Sequence, residues 1–314
     1  MVKRKIKVLL INLIVFILCA KNIPVQAINV ILVEPSANFY EATMKRDILC
    51  LMIAYQGYIT DIERTKEGFV YIIMKSGKRI IYDDKKVKEI KEKVQNPDLQ
   101  DMMEQVYPLF NITKLMPSDF NPGRIRVYDF FNEVYGGSEQ QVVSNLTNVK
   151  IGYKSHLFNS NNKASEALQS ATQELIPVTE KSSFIYSFVF PISGTFNYRT
   201  IHGTDRLSAH AYGIAIDLAY DKNDYWNWTS RKEGEKRLAL YPKEIIRIFE
   251  KNNFIWGGKW GLFDILHFEY RPELILKSRY FENQSYDIKK WYSGMPLDNA
   301  VVEDYIRLIE EKLN

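Results

Sequence analysis

Four side chains in the second half of the chain could together carry out metal-assisted hydrolysis. Ser208-Ala-His210-Ala-Tyr-Gly213-Ile-Ala215-Ile-Asp217 holds two of them, and Asp264-Ile-Leu-His267-Phe-Glu269 holds the others. Two imidazoles and a carboxylate, from His210, His267 and Asp217, are the donors that zinc accepts at about 2.0–2.2 Å, and three protein donors leave the fourth position to water. Zinc lowers the pKa of such a water toward about 7 and polarises a scissile carbonyl. Asp264, just upstream of the last histidine, can serve as a base. The chain has only 4 histidines, His156, His202, His210 and His267, so half of its imidazoles fall within these two motifs.

The elements that must position these groups can be read around them. Ile214-Ala-Ile-Asp-Leu218 alternates like a strand, with Ala215 and Asp217 on one face and Ile214, Ile216 and Leu218 toward a core. His210 and Asp217 are separated by an odd number of positions, so one straight strand would send them to opposite faces. A bend at Gly213 lets His210 fold back beside Asp217. Leu266 to Tyr270 reads as a second strand, stopped near Pro272, with Asp264 in a loop or bend before it. Tyr241-Pro-Lys-Glu opens a helix whose apolar face is Ile245, Ile246 and Phe249. Phe184 to Phe190 is a β-rich run ending at Pro191.

The first half has a different character. A helix is expected over 36–58, then a hairpin formed by Phe69–Met74 and Arg79–Tyr82 around Lys75-Ser-Gly-Lys78. Lys85 to Val94 reads as a surface helix, Pro97 to Tyr107 as another, and Ile125 to Tyr135 as a third. No histidine occurs between residues 30 and 150, and that region reads as a structural or docking module. Asp83-Asp-Lys-Lys86 reads as a solvated turn. Residues 151–182 are polar and read as a connection, with a short helical pattern from Ala164 to Leu175, and Leu297 to Leu313 is an amphipathic helix.

Length and charge bound the remaining possibilities. The chain has 314 residues, 46% hydrophobic and 25% charged, which suits about two globular domains. Lys3, Arg4, Lys5 and Lys7 precede the apolar stretch Val8–Ala20, and Val25-Gln-Ala27 offers small residues for cleavage. Residues 1–27 therefore read as a signal peptide, since a membrane helix needs about 20 apolar residues. The net charge of +4 belongs to this leader, and without it 37 basic residues face 38 acidic ones. No overall basic character then argues for nucleic acid. Cleavage removes Cys19 and leaves Cys50 in an apolar run, as a buried thiol with no disulfide partner. An exported, extracellular or cell-wall location follows, with a membrane tether only if the N-terminal segment stays uncleaved.

Ser208-x-His210-x-x-Gly213-x-Ala215-x-Asp217 with Asp264-x-x-His267-Phe-Glu269 resembles the zinc peptidases that include D-Ala-D-Ala carboxypeptidases and L-alanyl-D-glutamate endopeptidases, peptidoglycan peptidases of the hedgehog/DD-peptidase fold. The resemblance covers about residues 184–272. It implies an α+β fold, a small antiparallel sheet with flanking helices, here preceded by a separate α+β N-terminal region. It implies one Zn2+ per chain on His210, Asp217 and His267, with Asp264 as general base. It also implies an upstream arginine that holds the substrate carbonyl, and Arg199 fits that place, with Arg206 as its competitor and Ser208 and Glu269 as supporting hydrogen-bond partners. His202 is the rival metal ligand. The expected partners are peptidoglycan stem peptides.

Relatives that cut D-Ala-D-Ala usually carry Glu in the final motif, so Asp264 turns the expectation toward an L-alanyl-D-glutamate endopeptidase. The D-alanyl-D-alanine carboxypeptidase and a non-catalytic wall-binding module are the alternatives. Lys259, in Trp256-Gly-Gly-Lys-Trp260, stands where relatives commonly have Asp, and a reversed charge beside the substrate would be the result. The implied organisation is a signal peptide at 1–27, an N-terminal α+β region at 28–150 and a connection at 151–182. The zinc peptidase domain follows at 183–280, then a C-terminal helical extension at 281–314.

Overall fold

The computed structural model describes residues 37–282 and 290–314. The expected signal peptide with Cys19, residues 28–36, and part of the C-terminal extension lie outside the described residues. Helix α1 (Ala37–Ala54) leads into a meander of three antiparallel strands, β1 (Ile59–Arg64), β2 (Val70–Met74) and β3 (Arg79–Ile81). Val70, Ile72 and Met74 alternate inward along β2, as a half-covered sheet requires.

The surface helix expected at 85–94 shrinks to α2 (Ile90–Gln95). Lys85 takes a left-handed backbone (φ 61°), and the Lys88 ammonium turns inward to lie 2.7 Å from both Asp98 and Asp101. Asp98 and Asp101 form the capping box of α3 (Leu99–Met103). Helices α4 (Tyr128–Tyr135) and α5 (Glu139–Ser144) follow.

Two expectations for the middle of the chain are corrected. Residues 151–182 are regular structure rather than a connection. Strands β4 (Leu146–Ile151) and β5 (Lys154–Asn159) pair as a hairpin, and α6 (Ala164–Lys181) runs for 18 residues. The β-rich run at 184–190 is helix α7 (Ser183–Val189). Ser182 caps it by accepting from the Ile185 amide, and its aromatics pair one helical turn apart: Phe184 with Phe188 at 5.1 Å, Tyr186 with Phe190 at 5.0 Å. Strand propensity measures fit to a pleated surface, and here helical spacing satisfies the same rings.

The last third contains β6 (Ala215–Asp217), α8 (Arg231–Leu240), α9 (Lys243–Lys251), β7 (Phe254–Trp256), β8 (His267–Tyr270), α10 (Pro272–Phe281) and α11 (Ala300–Leu313). The three strands form an antiparallel sheet in the order β6-β8-β7, so the chain is an α+β fold of small antiparallel sheets flanked by helices. Helix α9 covers this sheet, with Phe249 stacked on Phe268 at 4.1 Å. Such a pair adds about 0.5–1.5 kcal/mol beyond its buried area.

Ala37–Asn314 is one compact unit with a shared core running from Ala42 to Leu313. Residues 107–126 form a strap laid over the β6-β8-β7 region. Its carbonyls at Pro108, Pro122 and Gly123 accept from Lys259, Trp260 and Arg271 at 2.6, 2.6 and 2.7 Å. Gly261 makes the approach possible: its amide donates to Phe120 O at 2.7 Å, and a Cβ there would lie 1.8 Å from Pro117 O. No helix among the described residues is long and apolar enough to cross a membrane.

Candidate metal centre

His210 is carried by a short 3-10 turn, Ala209–Tyr212. Ser208 caps that turn by accepting from the Ala211 amide at 3.3 Å, and its side chain supports His210 only through the backbone. Gly213 closes the turn with left-handed geometry (φ 67°, ψ 32°), and the chain then reverses into β6. This is the bend that brings His210 back toward Asp217. The second step is register: Asp217 on β6 stands directly opposite His267 on β8. Ala215 stands opposite Glu269. Asp264 precedes β8 in a turn, its amide bonded to Gly257 O at 2.9 Å and its carbonyl receiving the His267 amide at 3.1 Å.

The three donors converge. His267 Nδ1 lies 2.9 Å from Asp217 Oδ1 and 3.3 Å from His210 Nε2, which is itself 3.2 Å from Asp217 Oδ2. One ligand atom from each residue fits within 4.8 Å of the others, as a single ion requires. The ring atoms facing away from this point have partners of their own. His210 Nδ1 is 2.5 Å from Thr195 O, so the N–H belongs there and Nε2 is left with a lone pair for metal. His267 Nε2 faces Glu269 Oε2 at 3.6 Å. Outer carbonyl and carboxylate partners of this kind orient metal-binding imidazoles. The donor chemistry and the outer partners fit zinc.

The charges are arranged around the same point. Burial alone would raise the Asp217 pKa, but the imidazoles of His210 and His267 outweigh it and hold the carboxyl well below the usual range. Burial disfavours a charged His267, yet Asp217 on one side and Glu269 on the other push its pKa up to about 10 in the metal-free protein. Asp264 is pushed up to about 6, by burial first and by the Asp217 charge, against the opposing pull of His267, Arg124 and His210. A carboxyl poised there suits proton transfer near neutral pH.

Two arginines from the strap complete the centre, and sequence reasoning missed both. Arg126 grips the fully buried Glu269 with both arms: Nε donates to Oε1 at 2.9 Å and the second nitrogen donates to Oε2. Burial opposes ionisation of Glu269, but Arg126, His267 and Arg271 overcome it and hold its pKa below the ordinary range. Arg124 lies over the Trp260 ring at 4.6 Å, donates to Leu262 O at 2.6 Å, and keeps a buried Nε with no partner. Trp260 in turn packs 5.5 Å from the His267 ring. Arg124-Ile-Arg126 follows the Pro122-Gly123 break, but nothing local in the sequence points those side chains at residues more than a hundred positions away.

Arg199 stays beside the first motif: its carbonyl accepts from the Ser208 amide at 3.1 Å, two residues before His210, and its side chain is exposed, with no hydrogen bond or ion pair among the described residues. Arg206 donates to Val94 O at 3.4 Å, at the edge of a 1080 Å³ cavity that none of the four metal-type residues lines. His202 is exposed. Lys259 does not put a reversed charge beside the substrate. It is 1% exposed, with its ammonium 2.5 Å from Glu250, 2.6 Å from Pro108 O and 5.0 Å from the Tyr107 ring centre. Trp256 is fully buried, with its indole N–H donating to Ile265 O at 2.7 Å. A second acidic group, Asp83, Asp84 and Asp98, is engaged by Lys88, whose ammonium lies 2.7 Å from Asp98 and 3.1 Å from Asp84.

A family model described as D-alanyl-D-alanine carboxypeptidase matches residues 202–270. The matched segment contains His210, Asp217, Asp264, His267 and Glu269, but neither Thr195 nor the two strap arginines. It supports a peptidase of this family, a hydrolase, with the possible metal site at His210, Asp217 and His267. No curated protein and no solved structure matches the chain significantly.

Proposed function

We propose that the protein is an exported zinc peptidase that hydrolyses peptidoglycan stem peptides, as an L-alanyl-D-glutamate-type endopeptidase. The observation that carries the reading is the convergence of His210, Asp217 and His267 beside a carboxyl, Asp264, poised to titrate at about 6. Zinc on these three donors supplies Lewis acidity to a scissile carbonyl and lowers the pKa of water. Asp264 takes the proton of the attacking water and returns it to the leaving amine. Glu269 fixes the ring of His267, and Thr195 O fixes the ring of His210. Arg199, exposed and bonded through its carbonyl to the Ser208 amide at 3.1 Å, is assigned to hold the substrate carbonyl as negative charge builds on its oxygen, while the charge of Arg124 acts on Asp264.

The choice of bond rests on Asp264 standing where relatives that cut D-Ala-D-Ala usually carry Glu. A D-alanyl-D-alanine carboxypeptidase is the second reading, favoured by the description of the matched family model. The expected location is outside the cytoplasm or in the wall, with a membrane tether only through an uncleaved N-terminal segment, and nucleic acid is not an expected partner. Purified wall peptides, digested and analysed by mass spectrometry, separate the alternatives. New amino-terminal D-Glu is expected. Free D-Ala would instead establish the carboxypeptidase, and one zinc per chain with no hydrolysis would establish a binding module.

A further inference from the structure

Soon after β6 the chain runs through four aromatic residues, Tyr220, Tyr225, Trp226 and Trp228, and the backbone of Tyr225 bridges to that of Asp264. Three are unusually open for rings of this size: Tyr220 is 60% exposed, Trp228 59% and Trp226 37%. They pack steeply tilted to one another. Trp228 meets Tyr225 at 5.0 Å and 63° and Tyr220 at 5.7 Å and 62°, while Tyr225 meets Trp226 at 5.9 Å and 57°. Such packing braces the rings against one another, and much of Tyr220 and Trp228 still faces solvent. None of the four phenol or indole polar groups has a hydrogen-bond partner among the described residues.

The loop that carries these rings is tied through its backbone to the turn that carries Asp264. Tyr225 forms a backbone bridge with Asp264, and the Trp226 amide donates to Phe263 O at 3.0 Å. Behind them, fully buried Asp224 is held by Arg237 at 2.8 Å and accepts the Asp221 amide at 2.7 Å. Thr229 donates to Asn223 at 3.1 Å, which ties the two ends of the loop together. Ordering these rings therefore costs little when a ligand arrives.

Open aromatic faces with free O–H and N–H edges, flanked by Asn223, Asn227 and Thr229, match a ligand with flat C–H faces and a polar rim. A pyranose has that form. A lipid surface would call for a basic surround, and Lys222 is the only basic residue from 219 to 230. We propose that Tyr220, Tyr225, Trp226 and Trp228 form a stacking site for the acetylated amino sugar to which the stem peptide is attached. This rests on the peptidase reading above and sharpens it. An extended residue spans about 3.5 Å, so a bond after the first stem residue lies one residue from the sugar, and a terminal D-Ala-D-Ala bond lies about 14 Å away. A sugar ledge bridged through its backbone to the base fits the first bond.

The test is a titration of the full chain with the free disaccharide of N-acetylglucosamine and N-acetylmuramic acid, followed by indole fluorescence. Saturable binding is expected, weakened about ten-fold in Trp228→Ala and largely kept in Trp228→Phe, which retains a ring. Thermal melting of each variant confirms that the exposed site leaves the fold intact. No saturable signal in the wild type, or equal affinity in wild type and Trp228→Ala, overturns the proposal. Hydrolysis of intact wall muropeptides, which carry both the sugar and the stem, is measured separately. Sugar binding without hydrolysis would sink the peptidase reading and leave the sugar site standing, and hydrolysis without sugar binding would do the reverse.

Discussion

Replacing Arg126 by Met isolates what the strap contributes to the metal centre. Arg126 is 6% exposed and Glu269 0%, so the substitution strands a carboxylate in the core. Breaking a buried pair by removing one partner costs about 3–5 kcal/mol. Arg271 still approaches Glu269 at 3.4 Å and softens the loss, which places the expectation near 3 kcal/mol. That corresponds to a fall in melting temperature of about 4–5 °C for a chain of 314 residues. Glu269 also faces His267 Nε2, so a Glu269 that takes up a proton or turns away loosens the imaging of that ring toward the metal, and zinc affinity should fall about 10–100-fold. Denaturant unfolding of the metal-free protein and zinc titration against a competing chelator read the two effects separately. Arg126→Met combined with Glu269→Gln should recover much of the stability, because the stranded charge is gone, but not the zinc affinity. A loss under about 1 kcal/mol with unchanged zinc affinity would refute the argument that the first half of the chain is part of the metal centre.

Asp264→Asn should lower hydrolysis about 10²–10⁴-fold while zinc stays bound, measured by turnover and metal content. Asp264 acts only when ionised, so kcat/KM should rise with pH through its pKa, which is pushed up to about 6 in the metal-free protein and which a bound cation would lower, and the residual rate of the Asn variant should lack this limb. Metal-free His267 is protonated at pH 7, being held at about 10, and a metal takes only its neutral form; zinc loading should therefore release about one proton from it. Calorimetry in two buffers of different ionisation enthalpy measures the number, and release near zero would contradict the charge arrangement. Glu269 is depressed in the folded state, so its stabilising contribution is complete above the unfolded carboxyl pKa of about 4.3 and is lost as pH falls below it. An unfolding series between pH 3 and 7 should show this decline, and Glu269→Gln should flatten it. Lys259→Met should cost about 3 kcal/mol by stranding Glu250, and should leave the choice of peptide bond unchanged in the wall digest.

The metal-type residues were legible because their chemistry is rare and their local geometry is short-range. Gly213 in a left-handed turn and the alternation of Ile214–Leu218 both act within a few residues, and so did the β2-β3 hairpin around Lys75–Lys78. What local sequence cannot carry is register and distant pairing. The opposition of Asp217 and His267 depends on two strands meeting at one particular offset. Arg124 and Arg126 reach the centre only because the strap crosses it, and no periodic pattern within 107–126 encodes that path. Lys259 misled for a similar reason: a charge beside two tryptophans looked like a cleft residue, while its partner Glu250 lies on the neighbouring helix. The helix at 183–189 failed through aromatic residues whose propensity suits either state.

The strap also bears on the order in which the molecule can assemble. The contact between Arg126 and Glu269 closes a loop of 143 residues, and the two metal-type histidines are 57 positions apart. Loop closure on that scale comes late, after local helices and hairpins have formed. Metal capture at His210, Asp217 and His267 would therefore report on completion: a chain that held zinc tightly would already have joined its first and second halves, and a truncated or half-folded one would have no finished cage to offer the ion.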